Sequence, residues 1–260
     1  MKQIIHQVIF ILVILYHPNI LFAQMDSFAG DYIKISQSLL YSLKTEANPE
    51  TFLKDLKDAK EETLIKQLYN DDRKKAFWLN IYNSFVQLSL SENPSLFKKR
   101  SEFFSRKRFV IAGKPLSLDD IEHGILRRSK IKWSLGHLNK LFPGGFEKKF
   151  RVDTLDYRIH FALNCGAKSC PPIVFYDPEK IERQLRLATR SYLKSEVIFN
   201  ESENIVELPA IMSWFRRDFG GKRKMIQLLR ELEILPTSAK PSIRFKKYNW
   251  EVFLSHYKES

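Results

Sequence analysis

The chain has 260 residues, of which 44% are hydrophobic and 13% aromatic, and its formal net charge is +13. This composition contains enough apolar surface for a core and excludes a disordered chain. The length favours one domain, since no Gly/Ser-rich or Pro-rich linker divides the chain.

The first 23 residues have the pattern of a secretory signal peptide. Lys2 precedes the apolar run 8–16, and Ala23 supplies a small residue at the predicted cleavage site. The alternative is an uncleaved membrane anchor. However, His-Pro-Asn at 17–19 interrupts the run before the roughly 20 apolar residues that a spanning helix needs. We therefore expect an exported protein, periplasmic or extracellular, with no transmembrane segment after signal removal.

Basic clusters are spread along the chain, and several of them adjoin aromatic residues. Such interleaving is typical of a nucleic-acid groove. An exported protein meets little nucleic acid, so we expect no nucleic-acid partner. An anionic surface or an acidic polysaccharide is the partner that the charge favours.

Hydrophobic spacing predicts a helical N-terminal half. Apolar residues recur every three or four positions from Phe28 to Leu43, which indicates a first helix. Asn48 before Pro49 predicts the start of a second helix. Asp71 precedes a third, longer helix, whose apolar stripe is Phe77, Ile81, Phe85 and Leu88.

Short strands and further helices are predicted beyond Pro94. Segment 109–111 indicates a strand that ends in a turn, and Ser117 with Asp120 forms a predicted capping box of the next helix. Apolar and polar side chains alternate over 157–163, which predicts another strand. The later predicted elements are a helix after Asp177-Pro178, a hairpin of 197–199 with 205–208, a helix around 225–232 and an edge strand at 243–245. The fold class is α+β, with a helical N-terminal half packed on a small, mostly antiparallel sheet.

Four segments resemble, in order, the signature blocks of the family called domain of unknown function 547. They are FWLNIYN at 77–83, LDDIEHGIL at 118–126, HFALNCGAKSCP at 160–171 and the segment 208–219. The third is the most specific, because of its length and its cysteine spacing. Near the C-terminus, Tyr-Asn-Trp at 248–250 resembles a family Tyr-Asp-Trp, with asparagine replacing the acid. The resemblance implies a domain over 70–255, preceded by a helical extension over 24–69.

The family is named for the absence of an established activity, so the resemblance implies no particular reaction. Related domains in eukaryotes are joined to glutaredoxin-like or signalling modules, which hints at thiol chemistry. Some plant members keep the His-Phe-Ala-Leu core but not both thiols, which implies that cysteine catalysis is not a property of the whole family.

Two cysteines, Cys165 and Cys170, lie close together after the predicted strand. In an oxidising compartment the simplest interpretation is a disulfide that closes a tight loop. The alternative is a reactive Cys165 thiolate, favoured by nearby Lys168, with His160 or His123 as the base. Both interpretations remain open from the sequence.

Other chemistry at this loop is less favoured by the spacing. Four residues separate the cysteines, whereas a thioredoxin-like redox motif has two. A zinc site would combine both cysteines with His160 and either His123 or His137, but this spacing matches no familiar zinc pattern. No metal and no cofactor are expected.

Several polar residues complete the predicted site. Asn80 and Asn83 lie on one helical face, where they either tie the helix to a loop or bind a substrate. Asn80, Asn83, Asp120 and Asp156 are the candidate partners that would orient a catalytic histidine. Trp133, Tyr157 and Phe161 are interpreted as core residues.

These residues predict a polar cleft that gathers Asn80, His123, His160, Cys165 and Cys170. The predicted function is that of an exported binding or scaffold domain with a disulfide-pinned cleft. The alternative is a thiol-dependent Cys–His hydrolase or transferase that acts on an envelope or extracellular substrate. Nucleotide and serine chemistry are disfavoured, because the chain has no Gly-rich phosphate loop and no Gly-x-Ser-x-Gly elbow.

Overall fold

The computed structural model of the chain describes residues 30–258, so the predicted signal peptide lies outside the described residues. The α-helices are α1 (Tyr32–Lys44), α2 (Glu50–Lys57), α3 (Glu61–Gln67), α4 (Asp71–Glu92), α5 (Arg100–Ser105), α6 (Gly145–Phe150), α7 (Ile181–Glu196), α8 (Ala210–Trp214) and α9 (Lys222–Glu231). A π-helix spans Asp120–Leu126, and 3-10 helices span Pro94–Lys99, Lys132–Ser134 and Tyr157–Phe161. The strands are β1 (Phe109–Ile111), β2 (Lys114–Leu116), β3 (Ile198–Asn200), β4 (Ile205–Leu208) and β5 (Ser242–Phe245).

Helix α4 forms the centre of the molecule. Asn70 caps it by accepting a hydrogen bond from the Arg73 N–H. Acidic residues in its first turn stabilise the helix by interacting favourably with its dipole. From Lys74 to Gln87 every side chain is buried, because α1, the π-helix and α7 all pack against this helix. Burial on all sides carries the polar residues Asn80 and Asn83 into the protein interior.

Two small sheets complete the α+β fold. β1 and β2 form an antiparallel hairpin, in which Phe109 pairs with Leu116. The second sheet has the order β3-β4-β5, with β3 antiparallel and β5 parallel to β4. The predicted hairpin, the predicted edge strand and the α+β class are therefore confirmed. The turn predicted after the strand 109–111 is short, since Lys114 and Pro115 already belong to β2.

The predicted strand over 157–163 is wrong, because Tyr157–Phe161 is a 3-10 helix. Asp156 caps it by accepting a hydrogen bond from the Arg158 N–H. The alternation in sequence does not correspond to an inner and an outer face, since Ile159, His160 and Phe161 are all buried. The prediction took His160 for a solvent-facing residue of a half-exposed strand, whereas its side chain is buried.

Two hydrophobic clusters form the core. The larger one joins α1, α4 and the π-helix, so the predicted N-terminal extension shares its core with the segment that follows. The smaller cluster joins α7, α8, α9 and the three-stranded sheet, and Tyr248 packs against both clusters. The domain boundaries at 24, 70 and 255 stay a prediction. Within residues 30–258, no helix is both long and apolar enough to cross a membrane.

Candidate functional site

A cavity of about 480 Å³ lies where the π-helix, the cysteine loop, α8 and the C-terminal segment meet. Its polar lining includes Asp119, Glu122, His123 and His160, and Cys165 lies on its wall. Its aromatic lining is Tyr82, Phe104, Trp133, Trp214, Phe215, Tyr248 and Trp250. The cavity therefore joins positions that lie far apart in the sequence.

The π-helix supplies the acidic end of this cavity. Its start is fixed by the predicted capping box, in which the Asp120 N–H donates to Ser117 Oγ and the Ser117 N–H donates to Asp120 Oδ2, each at 3.0 Å. The cavity is lined by Asp119, which directly precedes the π-helix, and by Glu122 and His123 within it. Single π-turns of this kind are frequent at functional sites.

His123 has a defined tautomer. Its Nδ1 lies 2.9 Å from Nη1 of Arg127, and a guanidinium can only donate, so Nδ1 is the acceptor. The ring proton is therefore on Nε2, which lies 3.5 Å from Oδ1 of Asp119. Burial raises the pKa of Asp119, but hydrogen bonds from His123 and Lys132 outweigh it and bring the pKa below its usual value. The result is an ionised carboxylate that faces the Nε2 proton of His123.

His160 belongs to the same buried network, because Asp218 and Arg127 connect it to His123. Its Nε2 lies 2.9 Å from Oδ2 of Asp218, which also accepts a 2.7 Å hydrogen bond from Arg127 Nε. The imidazole stacks on Phe215 with ring centroids 3.9 Å apart. The side chains of Arg127 and Asp218 are fully buried. This network anchors the wall of the cavity to α8 and the segment after it.

The two ionisable partners of this network favour a neutral histidine and a charged carboxylate. Burial lowers the pKa of His160 and outweighs its hydrogen bond to Asp218, which acts in the opposite direction. Burial raises the pKa of Asp218, but hydrogen bonds from His160 and Arg127 outweigh it and lower that pKa. His160 therefore donates its Nε2 proton to an Asp218 carboxylate that also neutralises Arg127.

Cys165 and Cys170 form a disulfide, with Cα atoms 6.1 Å apart. This confirms the expected pairing, since bridged cysteines have Cα separations below about 7 Å. Oη of Tyr248 lies 3.1 Å from each sulfur atom. In the described part of the chain no cysteine is free. The thiolate nucleophile of the Cys–His alternative is therefore bonded to sulfur in this structure.

Of the predicted site residues, the structure brings His123, His160 and Cys165 to one cavity. Cys170 lies behind Cys165 and is 3% exposed. Lys168, expected beside the sulfur atoms, extends outward and pairs with Glu251 at 3.2 Å. No group of His, Cys, Asp or Glu side chains in the described range is arranged to hold a metal ion.

The predicted polar residues outside the cavity lining make structural hydrogen bonds. Asn80 bonds to both backbone groups of Tyr176, and Asn83 bonds to the Ala162 C=O and the Asn164 N–H. Asp156 caps the 3-10 helix Tyr157–Phe161 and pairs with Arg158 at 2.6 Å and with Lys75 at 3.6 Å. These three side chains hold backbone segments in place, and none of them lines the cavity.

Sequence reasoning missed part of this site. Glu122, Arg127 and Phe215 were not singled out, and Trp133, predicted as a core residue, is 76% exposed at the cavity. Trp214 and Trp250 were noted only as parts of the resembling segments 208–219 and 248–250. Most of these residues lie inside or beside the segments that resemble the family. Those segments contain more polar and aromatic residues than a hydrophobic core requires, which is the signal that could have identified them.

The chain belongs to the family described as "Protein of unknown function, DUF547", whose profile matches residues 66–193. The match includes the π-helix and the cysteine loop, while α8 and the Tyr-Asn-Trp segment follow it in the chain. Searches of curated proteins and of solved structures found no match.

Proposed function

We propose that the chain is an exported binding domain whose cavity accepts a small, neutral, hydroxyl-rich molecule, such as one or two sugar units. The observation that carries the proposal is the combination of an aromatic wall with two carboxylates in one cavity. The volume of about 480 Å³ falls within the range of about 300–1,000 Å³ that is usual for small-molecule sites. Export is supported by the signal-peptide pattern and by the disulfide.

The aromatic wall supports a ligand with an apolar face. Trp214 and Trp250 stack with ring centroids 5.5 Å apart and planes 15° apart. Tyr248 packs against both rings, at 4.8 and 4.5 Å. Such rings offer large apolar faces at low conformational cost, and Tyr and Trp also have a polar atom for a hydrogen bond. The apolar C–H face of a sugar ring can pack against aromatic side chains of this kind.

The acidic end supports a ligand with hydrogen-bond donors. Glu122 accepts a hydrogen bond from Tyr82 Oη at 3.2 Å, and Asp119 pairs with Lys132 at 2.9 Å. Ionised carboxylates only accept hydrogen bonds, so ligand hydroxyl groups would act as donors here. Arg100 and Lys132 also line the cavity, so the formal charges of its lining balance, which favours a neutral ligand.

The disulfide supports a fixed cavity wall rather than a free nucleophilic thiolate at Cys165. It closes the loop that carries Cys165 to the cavity wall, and Tyr192 Oη holds the same loop at the Ser169 C=O, at 2.8 Å. A loop this short contributes about 2 kcal/mol by chain entropy. A fixed wall lowers the ordering cost of binding.

The first prediction concerns Trp214. In titrations with neutral oligosaccharides, the Trp214→Ala variant should bind at least about tenfold more weakly, because it removes a ring of the aromatic wall that contacts both Tyr248 and Trp250. Intrinsic tryptophan fluorescence and calorimetry measure the affinity. Tyr69→Ala, an exposed aromatic outside the cavity, is the control and should bind as the native chain does. Equal affinity of the Trp214→Ala variant, or no oligosaccharide binding at all, contradicts the proposal.

We also propose that the domain meets an anionic lipid surface through the loop 130–142. Leu141 and Phe142 in this loop are 87% and 92% exposed, and Trp133 shares the exposed surface. Lysines at 130, 132 and 140 flank these apolar side chains, and the latter two also pair with Asp119 and Glu147. Exposed apolar residues between basic ones are typical of segments that bind a membrane interface. Because Trp133 also lines the cavity, the cavity mouth would lie close to that surface.

The second prediction tests this loop with vesicles of mixed zwitterionic and anionic phospholipid. The double change Leu141→Asp with Phe142→Asp should weaken vesicle binding at least about tenfold, since it removes apolar burial and adds negative charge. Added salt should weaken binding of the native chain by screening its lysines. Co-sedimentation measures the bound fraction.

Leu187→Asp, at an exposed site on α7, is the control and should bind vesicles as the native chain does. Binding to acidic polysaccharide without binding to vesicles would assign the basic surface to a different partner. Equal binding of the double variant and the native chain would remove the loop from the interaction.

A further inference from the structure

We infer that the Cys165–Cys170 disulfide exchanges with thiols that enter the cavity, with attack at Cys165 and Cys170 as the leaving group. This activity goes beyond ligand binding, and it does not depend on the sugar proposed above. It rests on two asymmetries between the sulfur atoms, one in access and one in hydrogen bonding.

Access distinguishes the two cysteines. Cys165 is half-buried and lies on the cavity wall. Cys170 is 3% exposed and is part of the hydrophobic core. An incoming thiolate therefore reaches the sulfur of Cys165 from the cavity, while the sulfur of Cys170 is shielded by protein.

Hydrogen bonding also distinguishes the two cysteines, because the shielded sulfur of Cys170 is the one that accepts backbone hydrogen bonds. Sγ of Cys170 accepts hydrogen bonds from the Cys165 N–H at 3.0 Å and the Ala167 N–H at 3.3 Å. Burial in the core disfavours a Cys170 thiolate, but hydrogen bonds to a charged form favour that form, so these two donors act against burial and stabilise the thiolate. A thiol with a lower pKa leaves faster in disulfide exchange. The sulfur that is inaccessible to attack is thus the one prepared to leave.

Tyr248 adds a third donor at the bond that breaks. Its Oη lies 3.1 Å from both sulfur atoms, so it can follow the negative charge as that charge develops. Burial raises the pKa of Tyr248, and the hydroxyl therefore keeps its proton at neutral pH. Gly166 keeps the loop in this shape, because its φ of +85° suits glycine and a Cβ there would collide with Leu90.

The exchange balances with two equivalents of a thiol. One thiolate attacks Sγ of Cys165, the Cys165–Cys170 bond breaks, and Cys170 takes the electron pair as a thiolate. A second thiolate attacks the ligand sulfur of the mixed disulfide and releases Cys165 as a thiolate. Two ligand thiols are thereby oxidised to a disulfide, and the protein disulfide is reduced to two thiols.

The first experiment treats the native chain with 2-mercaptoethanol, quenches it with acid, alkylates free thiols and maps the products by mass spectrometry. The mixed disulfide is expected on Cys165, with at least about tenfold less on Cys170. Equal adducts on both cysteines, an adduct mainly on Cys170, or no adduct until the protein is unfolded would overturn the inference. This arm needs no variant, so a folding defect cannot obscure it.

The second experiment measures the ionisation of each thiol separately, from thiolate ultraviolet absorbance against pH. In the Cys165→Ser variant, the pKa of Cys170 should lie at least one unit below the unperturbed value of about 8.5. Adding Tyr248→Phe should raise it again, because a donor is lost. In the matched Cys170→Ser variant, the pKa of Cys165 should be the higher of the two. A Cys170 pKa at or above that of Cys165 overturns the inference.

Discussion

Replacing Asp218 with alanine should lower the free energy of unfolding by about 3–5 kcal/mol, the usual cost of removing one partner from a buried ion pair. Arg127 is fully buried, and Asp218 is the carboxylate that neutralises it, at 2.7 Å. The change also removes the hydrogen bond that holds His160. Urea unfolding followed by circular dichroism measures the effect.

An exposed pair provides the matched control. Glu251→Ala breaks the ion pair with Lys168, whose side chains are 64% and 55% exposed, and should cost no more than about 1 kcal/mol. The double change Arg127→Met with Asp218→Leu should recover much of the loss, because it leaves no unpaired buried charge. If Asp218→Ala costs as little as Glu251→Ala, the charge of Arg127 is compensated in another way.

Helices and caps of this fold could be predicted because their signals are local. The stripe of α7, Ile181, Leu185, Ala188 and Tyr192, is buried as its spacing indicates. Ser117 and Asp120 form the predicted reciprocal cap. Each signal lies within a few residues, where helix geometry alone decides which groups meet.

The networks around the cavity could not be predicted in this way. Arg127 and Asp218 are 91 positions apart, and His160 and Asp218 are 58 apart. The segment 157–163 was misread for the same reason, since burial of His160 depends on partners that its own neighbourhood does not contain. The family resemblance located the right blocks, but not which side chains face the cavity.

The cysteine pair could be predicted in part from the sequence. Its spacing and the expected compartment favoured a disulfide over a reactive thiolate, and the structure contains that disulfide. Lys168 was expected beside the sulfur atoms, but proximity in sequence does not fix the direction of a side chain. The side chain turns toward Glu251 on the C-terminal segment instead.

Replacing Asn83 with alanine should lower the free energy of unfolding by about 2–5 kcal/mol and should also weaken ligand binding. The side chain donates to the Ala162 C=O at 3.1 Å and accepts from the Asn164 N–H at 2.8 Å. Its loss leaves two buried backbone groups without partners, at about 1–3 kcal/mol each. Because Asn164 directly precedes Cys165, the cavity wall should loosen as well.

Asn80→Ala separates the two effects. Asn80 makes an equivalent pair of hydrogen bonds to the backbone of Tyr176, each at 2.9 Å, but Tyr176 does not line the cavity. We therefore expect a similar loss of stability with unchanged affinity for the oligosaccharide, measured well below the unfolding transition. Asn249→Ala, which removes one exposed hydrogen bond to the Glu251 N–H, should cost no more than about 0.5 kcal/mol. If Asn80→Ala weakens binding as much as Asn83→Ala does, affinity depends on overall stability and not on the position of the cysteine loop.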